Sequence, residues 1–472
     1  IIVSLVGSEM CIRDSGSAGL SVASGAAQLG AKVVLLEGHK MGGDCLNYGC
    51  IPSKALIAAG KHAHAMTVGK PFGIIPAKPI IDFGKVKEHV KNVIQGIEPH
   101  DSIERFKSLG VNVIAEYGQF ISPTQLRAGN VVITARRFVV STGSSPFVPP
   151  IEGLESTPFY TNENIFDLKK CPEHLLIIGG GPIGMEMAQA HVRLGSKVTV
   201  LEGIKALGRE DPEIVKIALD GLKSEGVNII EGSQVSKVTG EEGAIIVETE
   251  NGLLIHGTHL LVAIGRKPNL DQLNLNVAGI ELDRGNIKVN ASLKTTNNRI
   301  YAIGDVVGDL QFTHMAEYHA GVVIRSALFG LPSKKKTNHI PWATYLDPEI
   351  AQVGLTEVQA LKMYGKKVTV VRAKYSDNDR ARTELSTNGL VKVMVVSGRP
   401  VGASIVGKQA GELIQIWALA ISSKLKMSAV SEMVSPYPTL GEVNKRAANA
   451  FFVPKIFNNT IIKRIVRLVQ KT

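Results

Sequence analysis

Residues 174–184 read HLLIIGGGPIG, an apolar run that ends in Gly179-x-Gly181-x-x-Gly184. A helical stretch follows, and then a second apolar run, KVTVLE, which closes on Glu202, eighteen residues after Gly184. The pattern predicts strand, tight turn, helix, strand. Its glycines permit the turn and let backbone approach a pyrophosphate, whose charge rests on the helix N-terminus. The same figure occurs earlier. Gly16-Ser-Ala-Gly19 leads through a helical run to KVVLLE and Glu37, again eighteen residues after the last glycine. One such turn is weak evidence, but two with matched acidic residues predict two Rossmann-like dinucleotide-binding domains.

Each terminal carboxylate can accept hydrogen bonds from a ribose diol and would repel a 2′-phosphate. That favours FAD at the first turn and NADH at the second. Lys205 and Arg209, just past Glu202, keep NADP(H) as an alternative. The first turn departs from the pattern. Where its first glycine belongs stands Asp14, and the residues before it, GSEMCIRD, are not an apolar strand. The expectation is that residues 1–15 stand in place of the usual first strand. Alternatively IIVSLVG supplies the strand, with an insertion before Gly16.

Length and composition bound the rest. The chain has 472 residues, 44% hydrophobic and 20% charged, which excludes global disorder and suits about three domains. Glycine, at 48 residues, is in excess, in keeping with many tight turns. No apolar run is long enough to span a membrane, and no secretory signal is expected. Cys11, Cys45, Cys50 and Cys171 are too few for a disulfide scaffold and point to a reducing, cytoplasmic setting. The net charge is +11, but after Glu442 there is no acidic residue, whereas Lys445, Arg446, Lys455, Lys463, Arg464, Arg467 and Lys471 follow. The excess is local, and no nucleic-acid partner is expected. The stretch VPKIFNNTIIKRIVRLVQKT reads as a basic amphipathic helix. It is favoured as a terminal helix docked on its own dimer, with weak contact to an anionic membrane surface as the alternative.

The chemistry concentrates in residues 42–54, GGDCLNYGCIPSK. Cys45 and Cys50 are close enough for a disulfide if the turn is distorted. No second Cys pair or His cluster has ligand spacing, so no resident metal is expected. A structural disulfide fits a reducing compartment poorly. A redox-active pair remains, with helix N-terminal amides to lower a thiolate pKa.

From Gly16 to Glu442 the chain resembles the class I pyridine nucleotide–disulfide oxidoreductases, among them dihydrolipoamide dehydrogenase, glutathione reductase and mercuric reductase. The string Cys-x4-Cys-x-Pro-Ser-Lys carries the resemblance. It implies that Cys50 faces the flavin, that Cys45 is the interchange thiol meeting the acceptor, and that Lys54 pairs with Glu186 beside the flavin. Ser141-Thr142-Gly143 resembles the hand-over between the FAD and NAD domains, and Val262-Ala-Ile-Gly265-Arg-Lys-Pro-Asn269 the return segment. Tyr301-Ala-Ile-Gly304-Asp305 resembles the second FAD motif, with Asp305 on the ribityl chain. The helix opening near Thr313-His314 would aim its positive end at the flavin. FAD is thus expected on Gly16, Gly19, Glu37, Lys54, Thr142, Gly143, Gly304 and Asp305, and NAD(H) on Gly179, Gly181, Gly184, Glu202 and Gly265.

The resemblance implies an α/β fold in which residues 1–148 and 271–340 form the FAD domain and 149–270 the NAD(P) domain. An α+β dimerisation domain at 341–454 and a basic helix at 455–472 follow. A homodimer is implied, lending residues across its interface. There the chain departs: the reductases' His-Pro-x-x-x-Glu is replaced by Tyr437-Pro-Thr-Leu-Gly-Glu442. Tyrosine, with an ordinary pKa of about 10, is a poor base at neutral pH where a histidine near 6.5 serves well. A tyrosine here resembles mercuric reductase, but that enzyme's C-terminal cysteine pair is absent.

The resulting expectation is an enzyme that passes reducing equivalents from NAD(P)H through FAD to the Cys45–Cys50 disulfide. The acceptor is then a small-molecule disulfide or a soft metal ion. The rivals are a mercuric reductase-like metal-ion reductase and a direct flavin NADH or quinone reductase with the cysteines secondary. Outside catalysis stand a membrane-surface-binding flavoprotein and a product disabled at Asp14.

Overall fold

A computed structural model describes residues 3–470. The elements that position the site are β1 (Val3–Arg13), α1 (Ser17–Gln28), β2 (Val33–Leu36), α2 (Cys50–Ala65), β3 (Asn112–Ile114), β4 (Val131–Val140), β5 (His174–Ile178), α3 (Pro182–Arg193), β6 (Lys197–Glu202), β7 (His259–Val262), β8 (Ile300–Ala302), α4 (Thr313–Ala327), α5 (Glu442–Phe457) and α6 (Thr460–Val469). Two compact units result. One holds the residues up to Gly179, Ala190–Leu201 and Ser233–Lys335; the other holds Gly180–Gln189, Glu202–Gly232 and the residues from Lys336 onward.

In the first unit, β3, β2, β1 and β4 run parallel in that order, and β8 continues the parallel array on the edge of β4 opposite β1. The unpromising segment GSEMCIRD is therefore a strand after all, which corrects the expectation drawn from its composition. Met10 pairs with Val33 and Ile12 with Leu35, and Met10, Cys11 and Ile12 are buried on both faces of the sheet. The polar residues are dealt with individually. Glu9 stays outside and accepts from the Lys32 amide, whereas Arg13 donates Nε to the Gly118 carbonyl and lays its guanidinium over Tyr117. Residues 3–6 extend the strand beyond a break in register near Gly7, and residues 1 and 2 of the alternative strand lie outside the described residues. Helix α1 packs its small face (Ala18, Val22, Ala23, Ala26) against α4, and the small residues are what let two helices share one face of the sheet.

The same unit carries a second parallel array, β6-β5-β7, in register from His174 with Lys197 and from His259 with Leu175. Its strands are apolar in their interiors apart from buried Thr199, whose hydroxyl is bonded to the His174 ring, as burial on both faces demands. Leu176, Ile178, Leu201 and Leu260 pack there on Val238 and Val247 of an antiparallel layer.

In the second unit the core is a five-stranded antiparallel sheet built from residues 341–407, with Trp417, Tyr375 and Phe451 packed over it. Trp417 donates its indole N–H to Asn444 of α5 at 2.8 Å. Buried Lys392 is enclosed by Asp211, Glu213 and Glu357, so no charge is left unpaired there. Among the described residues no helix is long and apolar enough to cross a membrane.

Candidate active site

The first glycine turn joins β1 to α1. Asp14 takes a left-handed backbone (φ 88), a region that favours glycine, and its amide donates to the Leu36 carbonyl at 2.9 Å. A Cβ on Gly19 would fall 2.0 Å from the Asp14 carbonyl oxygen, so glycine is compulsory there. Gly16 caps α1 with no side-chain acceptor, and a Cβ on it would meet nothing within 4 Å. An uncapped helix end beside open space is a place for phosphate. Glu37 Oε2 accepts from the Ser15 amide (3.0 Å) and hydroxyl (2.5 Å), and Oε1 from the His39 amide (2.6 Å). Oε2 is thereby filled, and Oε1 keeps a lone pair for a ribose. The Asp14 carboxyl is pushed up to about 7 by burial and by Glu37, with Arg13 pulling the other way. Protonation at neutral pH therefore removes part of its repulsion for a phosphate. The turn fits FAD.

Further along the same cradle, Thr142 Oγ1 donates to the Asn269 carbonyl (2.7 Å), and the Asn269 amide donates to the Gly143 carbonyl (3.0 Å). The Gly304 amide donates to Nδ1 of fully buried His319 (3.2 Å), which holds the loop that presents Asp305. Burial raises the Asp305 pKa, while a 2.6 Å hydrogen bond from Ser144 Oγ and the Arg266 charge oppose the rise.

The second turn repeats the design. Gly179 is left-handed (φ 111), and a Cβ there would sit 2.4 Å from the Ala263 carbonyl oxygen. Glu202 accepts from the Gly180 amide (2.8 Å) and the Ile204 amide (3.0 Å). A Cβ on Gly181 would meet nothing within 4 Å, Gly184 is buried in α3, and Gly265 is left-handed (φ 144). This turn fits a nicotinamide dinucleotide.

The redox pair lies in the first unit. Cys45 sits in the short helix Gly43–Asn47, and Cys50 opens α2 behind Gly49, which offers no side-chain cap. Both thiols are free. Cys50 is brought down to about 6, chiefly by a hydrogen bond from Cys45, helped by Thr313 Oγ1 at 3.4 Å and by the charge of Lys54 one turn on; burial works against it. Cys45 is pushed up by the same bond and by burial. The shared hydrogen bond thus makes Cys50 the more readily ionised thiol of the two. A cavity of about 300 Å³ reaches the pair from the Cys45 side, lined by Ser17, Ser21, Cys45, Ile51, Thr313 and Glu317 among others.

The sequence reading missed the residue that ties these parts together. Arg266 pairs with Asp44 (3.2 Å), beside Cys45, and donates Nε to Ser144 Oγ (2.7 Å), the hydroxyl that holds Asp305. Asn162 also donates to Asp44 at 3.0 Å. Arg266 was visible only as part of the return segment, and a lone acid between glycine and cysteine gives no signal of its own.

Glu186, Tyr437 and Glu442 belong to the second unit. Glu186 accepts from the Tyr345 amide at 2.8 Å. Tyr437 is 72% exposed and donates its hydroxyl to Asp379 Oδ2 at 3.2 Å, which raises its pKa. It is held as a donor and has lost further capacity to act as a base. Glu442 begins α5, and its Oε2 has no hydrogen-bond partner among the described residues. Asp379 was not foreseen; the only hint was its place after the helix-capping Asn378. Among the described residues no group of three or more His, Cys, Asp or Glu is arranged to hold a metal ion.

Known proteins resemble this chain over most of its length. The pyridine nucleotide-disulphide oxidoreductase family profile matches residues 15–320, and the dimerisation domain of that family matches residues 340–448. A mercuric reductase from Lysinibacillus sphaericus is 34% identical over 453 residues, covering 94% of this chain and 82% of the relative. A dihydrolipoyl dehydrogenase from Bacillus subtilis is 31% identical over 451 residues, covering 92% and 96%. Among solved structures, a Cu(II) complex of the HOCl-induced flavoprotein disulfide reductase RclA from Escherichia coli superposes with a TM-score of 0.85 at 29% identity, covering 94% of this chain and 99% of that one.

Proposed function

Because the chain belongs to the pyridine nucleotide-disulphide oxidoreductases, and is thereby an FAD-dependent NAD(P)H oxidoreductase, we propose that its Cys45–Cys50 dithiol delivers electrons to a soft metal ion in preference to a disulfide. The observation that carries the reading is the division of labour within the pair. Cys50 is the thiol lowered toward the thiolate, and Cys45 is the one raised and lining the cavity. Bound FAD carries two electrons between the nicotinamide and the cysteine pair. Gly16, Gly19, Glu37, Thr142, Gly143, Gly304 and Asp305 would hold it, with Lys54 close to the reacting ring. Gly179, Gly181, Gly184, Glu202 and Gly265 would hold NADH, which Glu202 favours over its 2′-phosphorylated counterpart.

The protons decide between acceptors. A disulfide acceptor needs Cys45 as thiolate and two protons for the leaving thiols. Cys45 is raised, and Tyr437, bound to Asp379, cannot take up a proton near neutrality. A thiophilic cation needs no such base, because a coordinating thiol is deprotonated by the metal itself. Two electrons then pass from the dithiolate to the ion, Cys45 and Cys50 close to the disulfide, and the Cys45 proton is released to solvent. The mercuric reductase relatives and the matched dimerisation domain support a metal-ion acceptor and a homodimer in which Tyr437 and Glu442 come from the partner. The domain ranges 1–148, 149–270, 271–340 and 341–454 belong to the same proposal. The free thiols support a reducing, cytoplasmic setting.

The test is NADH oxidation by the purified holoenzyme with Hg(II), lipoamide and glutathione disulfide in parallel. The reading requires Hg(II) to exceed both disulfides in kcat/KM, and Tyr437→His to raise disulfide turnover at least about tenfold, the usual worth of a positioned base being larger still. Equal or better disulfide turnover by the unmodified enzyme would overturn it. Full quinone turnover in Cys45→Ser would transfer the reaction to the flavin alone.

A further inference from the structure

Helix α6 closes the described chain, and none of its side chains is buried. It starts on its own cap: Asn459 Oδ1 accepts from the Ile461 amide at 2.9 Å and the Ile462 amide at 3.3 Å. The helix is thus specified locally, without help from packing. At helical spacing Ile461, Ile462, Ile465, Val466 and Leu468 fall on one side, and Lys463, Arg464 and Arg467 on the other. The apolar side faces outward. Ile461 is 64% exposed, Ile465 53% and Leu468 66%, and the end of α5 prolongs the same surface with Phe457 at 63%.

We propose that this helix docks the protein on an anionic lipid surface, lying in the interface plane with its apolar side down. Two features choose that occupant over a second copy of the chain. The segregation of charge from apolar side chains is the pattern of an interfacial helix, and three cations on ten residues match anionic headgroups. There is also no acidic side chain after Glu442, so Lys463, Arg464 and Arg467 would find no partner on a second such helix, whereas anionic headgroups pair with them directly. Lys455 sits over the Phe451 ring at 3.3 Å, which holds a further cation on the adjoining turn of α5. The contact is reversible, because one short helix supplies too little buried surface for permanent anchoring. It places a flavoenzyme beside a bilayer without altering its chemistry.

The experiment is co-sedimentation of the full-length holoenzyme with vesicles of neutral phosphatidylcholine, alone or with about 30 mol% phosphatidylglycerol, at low and high salt. Binding is expected to the anionic vesicles at low salt only. Lys463→Glu, Arg464→Glu and Arg467→Glu together should weaken it at least about tenfold, given what each cation contributes near such a surface. Ile465→Ser with Leu468→Ser should do the same. Both variants should keep flavin content and NADH turnover. Equal binding by either variant, or equal binding to neutral vesicles, would overturn the proposal. A change of assembly mass in the serine variant would overturn it too, by giving the face to a second copy.

Discussion

At the first turn the Asp14 amide donates to Leu36 at 2.9 Å, and Glu37 accepts from the Ser15 and His39 amides. At the second the Gly179 amide donates to Leu201 at 2.9 Å, and Glu202 accepts from the Gly180 and Ile204 amides. The backbones are the same to the level of individual hydrogen bonds, including the two left-handed residues at φ 88 and φ 111. What differs is the side chain at the left-handed position. The geometry of a dinucleotide turn therefore survives an aspartate, stabilised from outside by the strand pairing and by the Arg13 ion pair at 3.2 Å. The cost falls on charge and backbone strain. In the second turn the same substitution has no room.

The largest expected effect breaks the symmetry from the other side. Gly179→Asp should lower the rate of NADH-dependent reduction by at least about a hundredfold, since its Cβ would fall 2.4 Å from Ala263 O on top of about 1–3 kcal/mol of backbone strain. Rapid-mixing absorbance reads it, and a wild-type rate would show the turns to be less alike than described. The reciprocal change, Asp14→Gly, should tighten FAD binding by about tenfold through loss of the partly charged carboxyl beside the phosphate site. An unchanged FAD dissociation constant would mean that Asp14 costs nothing.

Next, Glu202→Gln should raise the KM for NADH by about tenfold with kcat nearly unchanged, the loss of one charge-assisted bond that is uniform through the reaction. Glu37→Gln should weaken FAD retention and leave the KM for NADH alone. Crossed effects in steady-state kinetics would contradict the assignment of one nucleotide to each turn.

A smaller effect follows from pH. Burial and Glu37 raise Asp14 in the folded chain to about 7, above its unfolded value, so the folded state binds this proton more tightly. Its stability relative to Asp14→Asn is therefore highest in acid, falls as pH climbs from about 4 to about 7, and is flat above. Thermal melts of both proteins across that window check the sign; a stability that falls toward acid relative to Asp14→Asn would refute it.

The smallest effect concerns what only the first fold carries, the redox loop. The Asp44 carboxylate works against the Cys50 thiolate and Arg266 offsets it. Asp44→Asn should move the appearance of the thiolate absorption to lower pH, and Arg266→Met should move it higher, each by about half a pH unit for a partly screened charge. Spectral titration of the holoenzyme reads both, and shifts of one sign would deny the pairing.

Much of this was legible in the chain. The two strand–turn–helix–strand figures form where the glycine patterns predict them, with Glu37 and Glu202 each accepting from amides of its own turn, because such turns depend on local backbone geometry that short strings encode. Residues Ser8–Arg13 were misread, since their strand character comes from being flanked by β2 and β4 rather than from their own hydrophobicity. Arg266, Ser144 and Asp379 were missed because each acts through a partner more than a hundred or more than fifty residues away, Arg266 on Ser144 and Asp379 on Tyr437. No spacing rule reaches so far.

The central claim is that the first turn, aspartate included, still holds FAD against the Cys50 thiolate. Anaerobic titration of the purified protein with NADH, followed by visible absorbance, tests it most directly. The account predicts a yellow protein that develops a long-wavelength band on two-electron reduction, lost in Cys50→Ser. A protein that binds no FAD, or one whose flavin bleaches with NADH and never shows the band, would contradict it.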